Sequence, residues 1–196
     1  MADPWLIAGL GNPGERYAPT RHNVGALVVS SLRETLGARL RKVRFLPAEA
    51  AEAKYREVPL LLVRPGTWMN LSGPPIASFA RRRGVPVDRV VACHDELDLP
   101  FGALRIKKGG STAGHHGLDS LVEAFRSPDF YRIRMGVGRP PGRKDPVDFV
   151  LEPFAKPERD EVDSMVADAC DAVLSLVTEG LSVTQSRYNR GGIRES

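Results

Sequence analysis

The sequence predicts an α/β fold, with a central mixed, mostly parallel sheet and helices on both faces. Short apolar runs that end in glycine, proline or polar residues alternate with stretches whose apolar residues recur every three or four positions. Nearly continuous apolar strands are typical of sheets that helices cover on both sides. No internal repeat or low-complexity stretch divides the chain, so residues 1–196 are predicted to form a single domain.

Four short runs are the predicted strands. They are residues 5–10, 60–63, 90–93 and 131–137. The third run is followed directly by a polar cluster, residues 94–96. In the fourth run, bulky apolar residues alternate with Arg132 and Arg134, which predicts a strand with one face in water.

Four amphipathic stretches between these runs are the predicted helices. They are residues 24–32, 76–80, 118–125 and 162–177. The last pattern is the clearest, and it predicts a helix that begins near Pro157 and ends at Gly180.

The composition is that of an ordinary globular protein, with 42% hydrophobic and 27% charged residues. No apolar run approaches the roughly 18 residues of a spanning helix, and the first residues lack the features of a signal peptide, so a cytoplasmic protein with no membrane partner is predicted. Two cysteines are too few for a disulfide framework or a cysteine zinc site. A formal net charge of +4 is compatible with a polyanionic partner but does not establish one.

The first predicted strand leads into residues 9–14, GLGNPG, which match the dinucleotide-binding pattern G-x-G-x-x-G. That pattern requires a helix to begin within the loop, but Pro13 intervenes and the helical pattern begins only around Asn23. The loop is therefore interpreted as a rigid turn that presents Asn12 at the C-terminal edge of the sheet. As an isolated feature, it could equally be a plain turn in which Asn12 bonds its own backbone.

Other polar clusters leave the ends of predicted strands or precede predicted helices, at residues 21–23, 68–70 and 94–95. His22 lies just before a helix, where the helix dipole disfavours a protonated imidazole and leaves a ring that can accept a proton. Such a base needs a partner that fixes its tautomer, and the strand-end carboxylate of Asp95 is the candidate. Helix capping by His22 and simple solvation of Asp95 remain the alternatives.

A metal site is a competing interpretation of the same region. His94, Glu96 and Asp98 would share one side of an extended strand, and His115 or His116 could complete a coordination shell. Neither H-E-x-x-H nor H-x-x-E-H occurs in the sequence, so no metal is predicted.

Residues 107–117 form a glycine-rich loop that begins with two lysines and leads into a helical pattern. Free backbone amides there could hold an anion or a developing oxyanion, or the loop could be a mobile surface segment. A phosphate-binding track could continue along the basic residues Arg105, Lys107, Arg132, Arg134, Arg139, Arg143 and Lys144. The sequence has no G-x-S-x-G motif, and Cys93 lies in an apolar strand, so water is the predicted nucleophile.

Five blocks of the sequence together resemble bacterial peptidyl-tRNA hydrolases. They are residues 10–14, 17–25, 65–73, 94–100 and 109–117, and they occur in the family's order and spacing. The resemblance implies a monomeric cytoplasmic esterase that uses neither metal nor cofactor. It would cleave the ester between a peptide and the 3′ ribose of tRNA, and so recycle tRNA from stalled or dropped-off peptidyl-tRNA.

The resemblance also implies roles for individual residues. His22 would activate water, Asp95 would orient His22, and Asn12 would distinguish N-blocked peptidyl groups from free aminoacyl groups. The residues expected to contact the substrate or the tRNA are Tyr17, Trp68, Met69, Asn70, His116 and Lys107.

Two positions depart from the family pattern. Asparagine is usual where this chain has His116, and phenylalanine is more common where it has Trp68. A neutral imidazole can donate one hydrogen bond, as an amide can, but it is bulkier and changes charge near neutral pH. The role of His116 therefore stays open, and the alternative to an esterase is an RNA-binding module that retains the fold but lacks hydrolysis.

Overall fold

Seven strands form one sheet in a computed structural model of the chain, which describes residues 3–189. The strands are β1 (Trp5–Gly9), β2 (Arg41–Lys42), β3 (Ala48–Tyr55), β4 (Val58–Pro65), β5 (Val90–Glu96), β6 (Leu104–Lys108) and β7 (Tyr131–Gly136). They are ordered β2-β3-β4-β1-β5-β7-β6. The central strands β4, β1, β5 and β7 are parallel, and β2, β3 and β6 are antiparallel to their neighbours. The predicted α/β class is confirmed; residues 1–2 and 190–196 of the predicted domain lie outside the described residues.

Helices cover both faces of the sheet, as predicted. They are α1 (Val24–Thr35), α2 (Gly73–Arg82), α3 (His116–Phe125), α4 (Pro146–Val150), α5 (Arg159–Glu179) and α6 (Leu181–Tyr188). Ile7 of β1 packs on the side of α1 and α5, whereas its neighbours Leu6 and Ala8 pack on the side of α2 and α3. None of the helices between residues 3 and 189 has both the length and the apolar character that crossing a bilayer requires.

Both edges of the sheet are protected against pairing with another chain. On β6, the backbone N–H of Ile106 donates to Asn189 Oδ1 at 2.7 Å, and the Ile106 carbonyl accepts from Gln185 Nε2 at 2.9 Å. The opposite edge strand, β2, consists of only two residues, both charged and exposed. Short charged strands and covered edges are common ways of avoiding aggregation.

The prediction that β7 has one face in water is wrong for Arg132, which is only 2% exposed, and is met only in part by Arg134, which is half-buried on the same face. β7 is not an edge strand: it lies between β5 and β6, and its face with Arg132 is covered by the loop that follows β6.

A close contact between α1 and β5 brings two distant parts of the chain together. A Cβ atom at Gly25, in the first turn of α1, would lie 2.0 Å from the carbonyl oxygen of Cys93 in β5, so only glycine fits there. His22 lies three residues before Gly25, and Asp95 two residues after Cys93. The loops after β1 and β4 meet the end of β5 at this edge of the sheet. The strands that follow β1 pair first on one side of it and then on the other. Ligand sites of open α/β sheets typically lie at such a point.

Candidate active site

A cavity of about 640 Å³ opens at the C-terminal edge of the central strands. Of the residues expected from the sequence to form a site, its walls include Asn12, His22, Trp68, Met69, Asn70, Asp95 and His116. Tyr17 does not line the cavity but packs edge-to-face against Trp68, with ring centroids 5.5 Å apart. Lys107 lies on β6, outside the cavity. The volume is ordinary for a site that binds a small ligand or the end of a larger one.

His22 and Asp95 are in direct contact. His22 lies in a 3₁₀ turn, Arg21–Asn23, between β1 and α1, and its Nδ1 is 3.0 Å from both carboxylate oxygens of Asp95. Asp95 is 4% exposed. A second imidazole approaches the same carboxylate, because His115 Nε2 lies 2.9 Å from Asp95 Oδ1.

These contacts fix the proton positions on both rings. Burial alone would raise the pKa of the Asp95 carboxyl, but the facing imidazoles of His115 and His22 and their hydrogen bonds hold that pKa well below its usual range. An ionised carboxylate can only accept hydrogen bonds, so His22 Nδ1 and His115 Nε2 must each carry a hydrogen. The unprotonated nitrogen of a neutral His22 is therefore Nε2.

His115 is the residue whose role the sequence did not reveal. Its ring caps α3, since its Nδ1 accepts hydrogen bonds from the N–H groups of Gly117 (3.1 Å) and Leu118 (3.3 Å). A hydrogen on that nitrogen would displace both bonds, so the ring is held as the tautomer that donates to Asp95. The available signal was position: His115 immediately precedes a helical pattern, where capping side chains lie.

The expectation that the glycine-rich loop presents free amides to an anion is wrong for this helix end. The amides of Gly117 and Leu118 are taken by the His115 ring, and that of Asp119 by the His115 carbonyl at 3.0 Å. These three amides are therefore not available to a developing oxyanion.

The residues considered as one side of a metal site do not converge. His94 is buried and its Nδ1 donates to the Asp95 carbonyl at 2.7 Å; burial, with His115 nearby, lowers the pKa of His94 to about 3. Glu96 pairs with Arg134, and Asp98 pairs with Arg139.

A different set lies close enough to share an ion, since ligand atoms of His22, Asp95 and His115 are all within 4.8 Å of one another. The two hydrogen bonds to Asp95 account for this proximity. In the tautomers described above, the ring nitrogens that face the carboxylate carry hydrogens and have no lone pair for a cation.

Asn12 is held by three hydrogen bonds. Its Oδ1 accepts from the Met69 N–H at 2.8 Å, while its own backbone N–H and carbonyl pair with the side chain of Asn23, both at 2.8 Å. Because the Met69 N–H is a donor, the bound side-chain atom of Asn12 must be the oxygen, and the NH₂ group is left for a ligand. Asn23, buried beneath the loop, was not predicted to position Asn12.

Arg21 connects the 3₁₀ turn that contains His22 with the segment that follows α4. Its Nη1 donates to the carbonyls of Glu152 and Pro153, at 3.3 and 3.0 Å, and its Nη2 forms an ion pair with Glu158 at 2.9 Å. The segment so attached follows α4, and α4 residues line the same cavity as His22.

Arg132 cannot belong to a surface track, since its buried guanidinium holds the glycine-rich loop. It donates to the carbonyls of Ser111 (2.7 Å), Gly109 (2.6 Å) and Gly110. The loop that these bonds fix leads directly to His115. We infer that Arg132 positions His115 through the backbone of this loop.

Replacing Arg132 with methionine is expected to lower the free energy of unfolding by about 1–3 kcal/mol, because three loop carbonyls, among them the buried one of Gly109, lose their donors. Amide hydrogen exchange at Gly117 and Leu118 should also accelerate. Arg105→Met, on the half-exposed face of β6, is the matched control and should change neither quantity appreciably. Unfolding in urea and exchange monitored by NMR measure both effects; unchanged exchange in Arg132→Met would show that the loop does not depend on this side chain.

The chain is similar throughout to proteins of one family. A family model described as peptidyl-tRNA hydrolase matches residues 6–196. Peptidyl-tRNA hydrolases of Frankia casuarinae and Nocardia farcinica are 47% and 48% identical over 186 residues, which is 95% of this chain and 94% and 96% of theirs. A crystal structure of peptidyl-tRNA hydrolase from Acinetobacter baumannii has a TM-score of 0.89 at 31% identity, covering 97% of this chain and 96% of that one. An Arabidopsis thaliana 5′-methylthioadenosine nucleosidase, with a TM-score of 0.53 at 8% identity, is similar in fold alone.

Proposed function

Because this chain belongs to the peptidyl-tRNA hydrolase family, we propose that His22 is the general base with which it hydrolyses the ester between a peptide and the 3′ ribose of tRNA. The observation that carries this proposal is that Asp95 accepts two hydrogen bonds, one from His22 and one from His115. They orient His22 with its Nδ1 protonated and its Nε2 available as the base. Positioned bases of this kind typically contribute about 10²–10⁴ to a rate.

The reaction that follows from this arrangement needs only water. His22 Nε2 takes a proton from a water molecule while the water oxygen bonds to the ester carbonyl carbon. The resulting tetrahedral intermediate collapses with cleavage of the bond to the ribose oxygen, which receives the proton from His22. Asp95 stabilises the transient imidazolium, and a free peptide carboxyl group and a tRNA with a free 3′ end are released.

The negative charge of the intermediate requires donors in the cavity. The amide NH₂ of Asn12 is free for this purpose, since its oxygen is bound to the Met69 N–H. Asn70 is exposed and lines the same cavity. We therefore assign the oxyanion or the adjacent peptide carbonyl to these two carboxamides.

The contacts to the rest of the substrate are proposed on the basis of exposure. Trp68 is 51% exposed and presents an aromatic face beside Tyr17, which suits stacking on a base near the tRNA end. The Met69 side chain is buried, so the proposed role of this residue is to hold Asn12 through its backbone N–H. Lys107, half-exposed on the edge strand β6, would contact tRNA phosphates beyond the cavity. The enzyme is proposed to act as a single-domain monomer in the cytoplasm, where its substrate arises, without metal or cofactor.

Release of the acyl group from an N-acetylated aminoacyl-tRNA tests this function. The protein should release the N-acetylated amino acid and leave the same tRNA with a free amino acid largely intact. Failure to hydrolyse the N-acetylated substrate while still binding tRNA would favour the alternative, an RNA-binding protein that has lost hydrolysis.

Replacing His116 with asparagine is expected to retain or improve activity. His116 is exposed at the first position of α3, and the imidazole that bonds Asp95 belongs to His115. The adjacent substitution His115→Asn is the comparison, and it should lower kcat because both the bond to Asp95 and the cap of α3 change. A tenfold or larger loss in His116→Asn would mean that this chain uses the His116 imidazole specifically.

A further inference from the structure

The turn between β2 and β3 carries an aromatic side chain that the core does not use. Phe45 is 80% exposed, more than any other large hydrophobic residue among those described. Its φ is +62°, a left-handed conformation that bulky residues rarely adopt. Exposure leaves the ring with little part in stabilising the fold, the strained backbone lowers stability, and strained residues of this kind concentrate at functional positions.

One cation lies over this aromatic ring, and others lie nearby in the hairpin and at the end of α2. The Arg44 guanidinium lies 4.5 Å from the Phe45 ring centroid, and Arg82, at the end of α2, donates to the Arg44 carbonyl at 2.8 Å. Arg41 and Lys42 of β2 are exposed beside them. We name Arg41, Lys42, Arg44, Phe45 and Arg82 the hairpin-tip patch.

The charge of the hairpin-tip patch is not neutralised by neighbouring carboxylates. Within residues 3–189, none of its four cations has an ion-pair partner. The acidic residues on β3 are already paired, Glu49 with Arg64 and Glu52 with Arg83, each at 2.6 Å. The patch is therefore a concentration of positive charge around an exposed ring.

The hairpin-tip patch lies on the catalytic edge of the sheet. Ala48, at the start of β3, pairs with Pro65 at the end of β4, and the Gly66 N–H donates to the Pro47 carbonyl at 2.8 Å. Trp68 follows two residues later. A second cavity, of about 570 Å³, lies between the hairpin and residues 11–15; Lys42 is the patch residue that lines it, and it shares Asn12 with the catalytic cavity. The two cavities therefore connect the catalytic residues, through Asn12, with the Lys42 side of the patch.

We propose that the hairpin-tip patch binds the RNA of the substrate upstream of its 3′-terminal nucleotide, with the cations on phosphates and an unpaired base stacked on Phe45. Cations interleaved with an exposed aromatic ring are the usual means of holding single-stranded RNA. The peptide is the less suitable occupant, because its charge is variable, and the apolar wall formed by Val147, Val150 and Leu151 lies in the other cavity. This inference rests on the proposed function, since it takes peptidyl-tRNA as the substrate.

Phe45→Gly separates a binding role from a structural one. Glycine adopts a φ of +62° without strain, so the melting temperature should stay the same or rise. The Kd for deacylated tRNA, measured at low salt, should increase about fivefold or more, as expected for the loss of one base stack. A ring that served the fold would instead give a lower melting temperature and an unchanged Kd.

The double substitution Arg44→Glu with Arg82→Glu tests the cations. It should weaken tRNA binding and reduce the slope of log Kd against log salt by about 1–2, because each lost phosphate contact removes roughly 0.7–0.9. Arg56→Glu is the matched control. The Arg56 guanidinium also lies over a neighbouring ring, 5.3 Å from the centroid of Tyr55, and the Arg56 backbone has a φ of +43°. It occupies the opposite end of the β3–β4 pair, away from the catalytic edge, and should bind tRNA as the unchanged protein does.

A minimal substrate distinguishes failure of this inference from failure of the proposed function. An N-acetylated aminoacyl-adenosine contains only the 3′-terminal nucleoside, so the patch variants should cleave it at the unchanged rate. If the unaltered protein cleaves no ester at all, the proposed function fails. The affinities of the variants for deacylated tRNA still test whether the patch binds RNA. Unchanged tRNA affinity in both Phe45→Gly and the double variant would overturn the inference.

Discussion

Replacing His22 with alanine is expected to lower kcat for the N-acetylated aminoacyl-tRNA by about 100-fold or more, the usual contribution of a positioned general base. His22 presents Nε2 as the unprotonated nitrogen because Asp95 fixes the proton on Nδ1. Alanine removes the only group assigned to accept the proton of the attacking water. Single-turnover hydrolysis at saturating enzyme measures the chemical step directly.

The affinity of His22→Ala for deacylated tRNA should stay close to that of the unaltered protein, since the proposed phosphate and stacking contacts lie elsewhere. Added imidazole should restore part of the lost rate, because a small base can occupy the space of the missing ring. Loss of tRNA binding comparable to the loss of rate, with no effect of imidazole, would identify His22 as a structural or binding residue instead.

The central part of the fold was predictable because its signals are local. Strands β1, β4 and β5 are apolar runs, β7 alternates apolar residues with arginines, and α5 ends at Glu179, one residue before the predicted stop at Gly180. β3 was not predictable in this way: its sequence, AEAAEAKY, is rich in residues that favour helices. It forms a strand because all eight residues pair with β4, a contact that the sequence pattern does not encode.

The site was predictable to the extent that its residues leave strand ends. Asn12, His22 and Asp95 each follow or precede a recognisable element, and the structure places all three around one cavity. The roles of His115 and Arg132 depend on partners distant in sequence. The Arg132 side chain bonds a loop about 20 residues away, and only the fold shows that this cation faces carbonyls instead of solvent.

The hydrogen bonds around Asp95 define a second large effect, expected for Asp95→Asn. The side-chain atom of residue 95 that faces His115 must remain an acceptor, because His115 Nδ1 is bound to the amides of Gly117 and Leu118 and Nε2 carries the hydrogen. The NH₂ group of an asparagine at this position therefore faces His22 Nδ1, at the 3.0 Å distance now occupied by Oδ2. An Nδ1–H would face this NH₂ group at the same 3.0 Å at which it meets Oδ1, whereas a ring protonated on Nε2 accepts a hydrogen bond from it, so we expect the proton of His22 to move to Nε2.

We expect Asp95→Asn to lower kcat by about 10³-fold or more, because the equivalent change of tautomer in a Ser-His-Asp triad costs about 10⁴-fold. The fold should persist, since the asparagine satisfies both imidazoles. NMR of ¹⁵N-labelled histidine reports the tautomer directly and should show His22 protonated on Nε2 in the variant and on Nδ1 in the unaltered protein. Asp98→Asn, at an exposed carboxylate paired with Arg139, is the matched control and should retain activity. A loss of less than tenfold in Asp95→Asn, or an unchanged tautomer, would mean that the carboxylate does not set the protonation of the base.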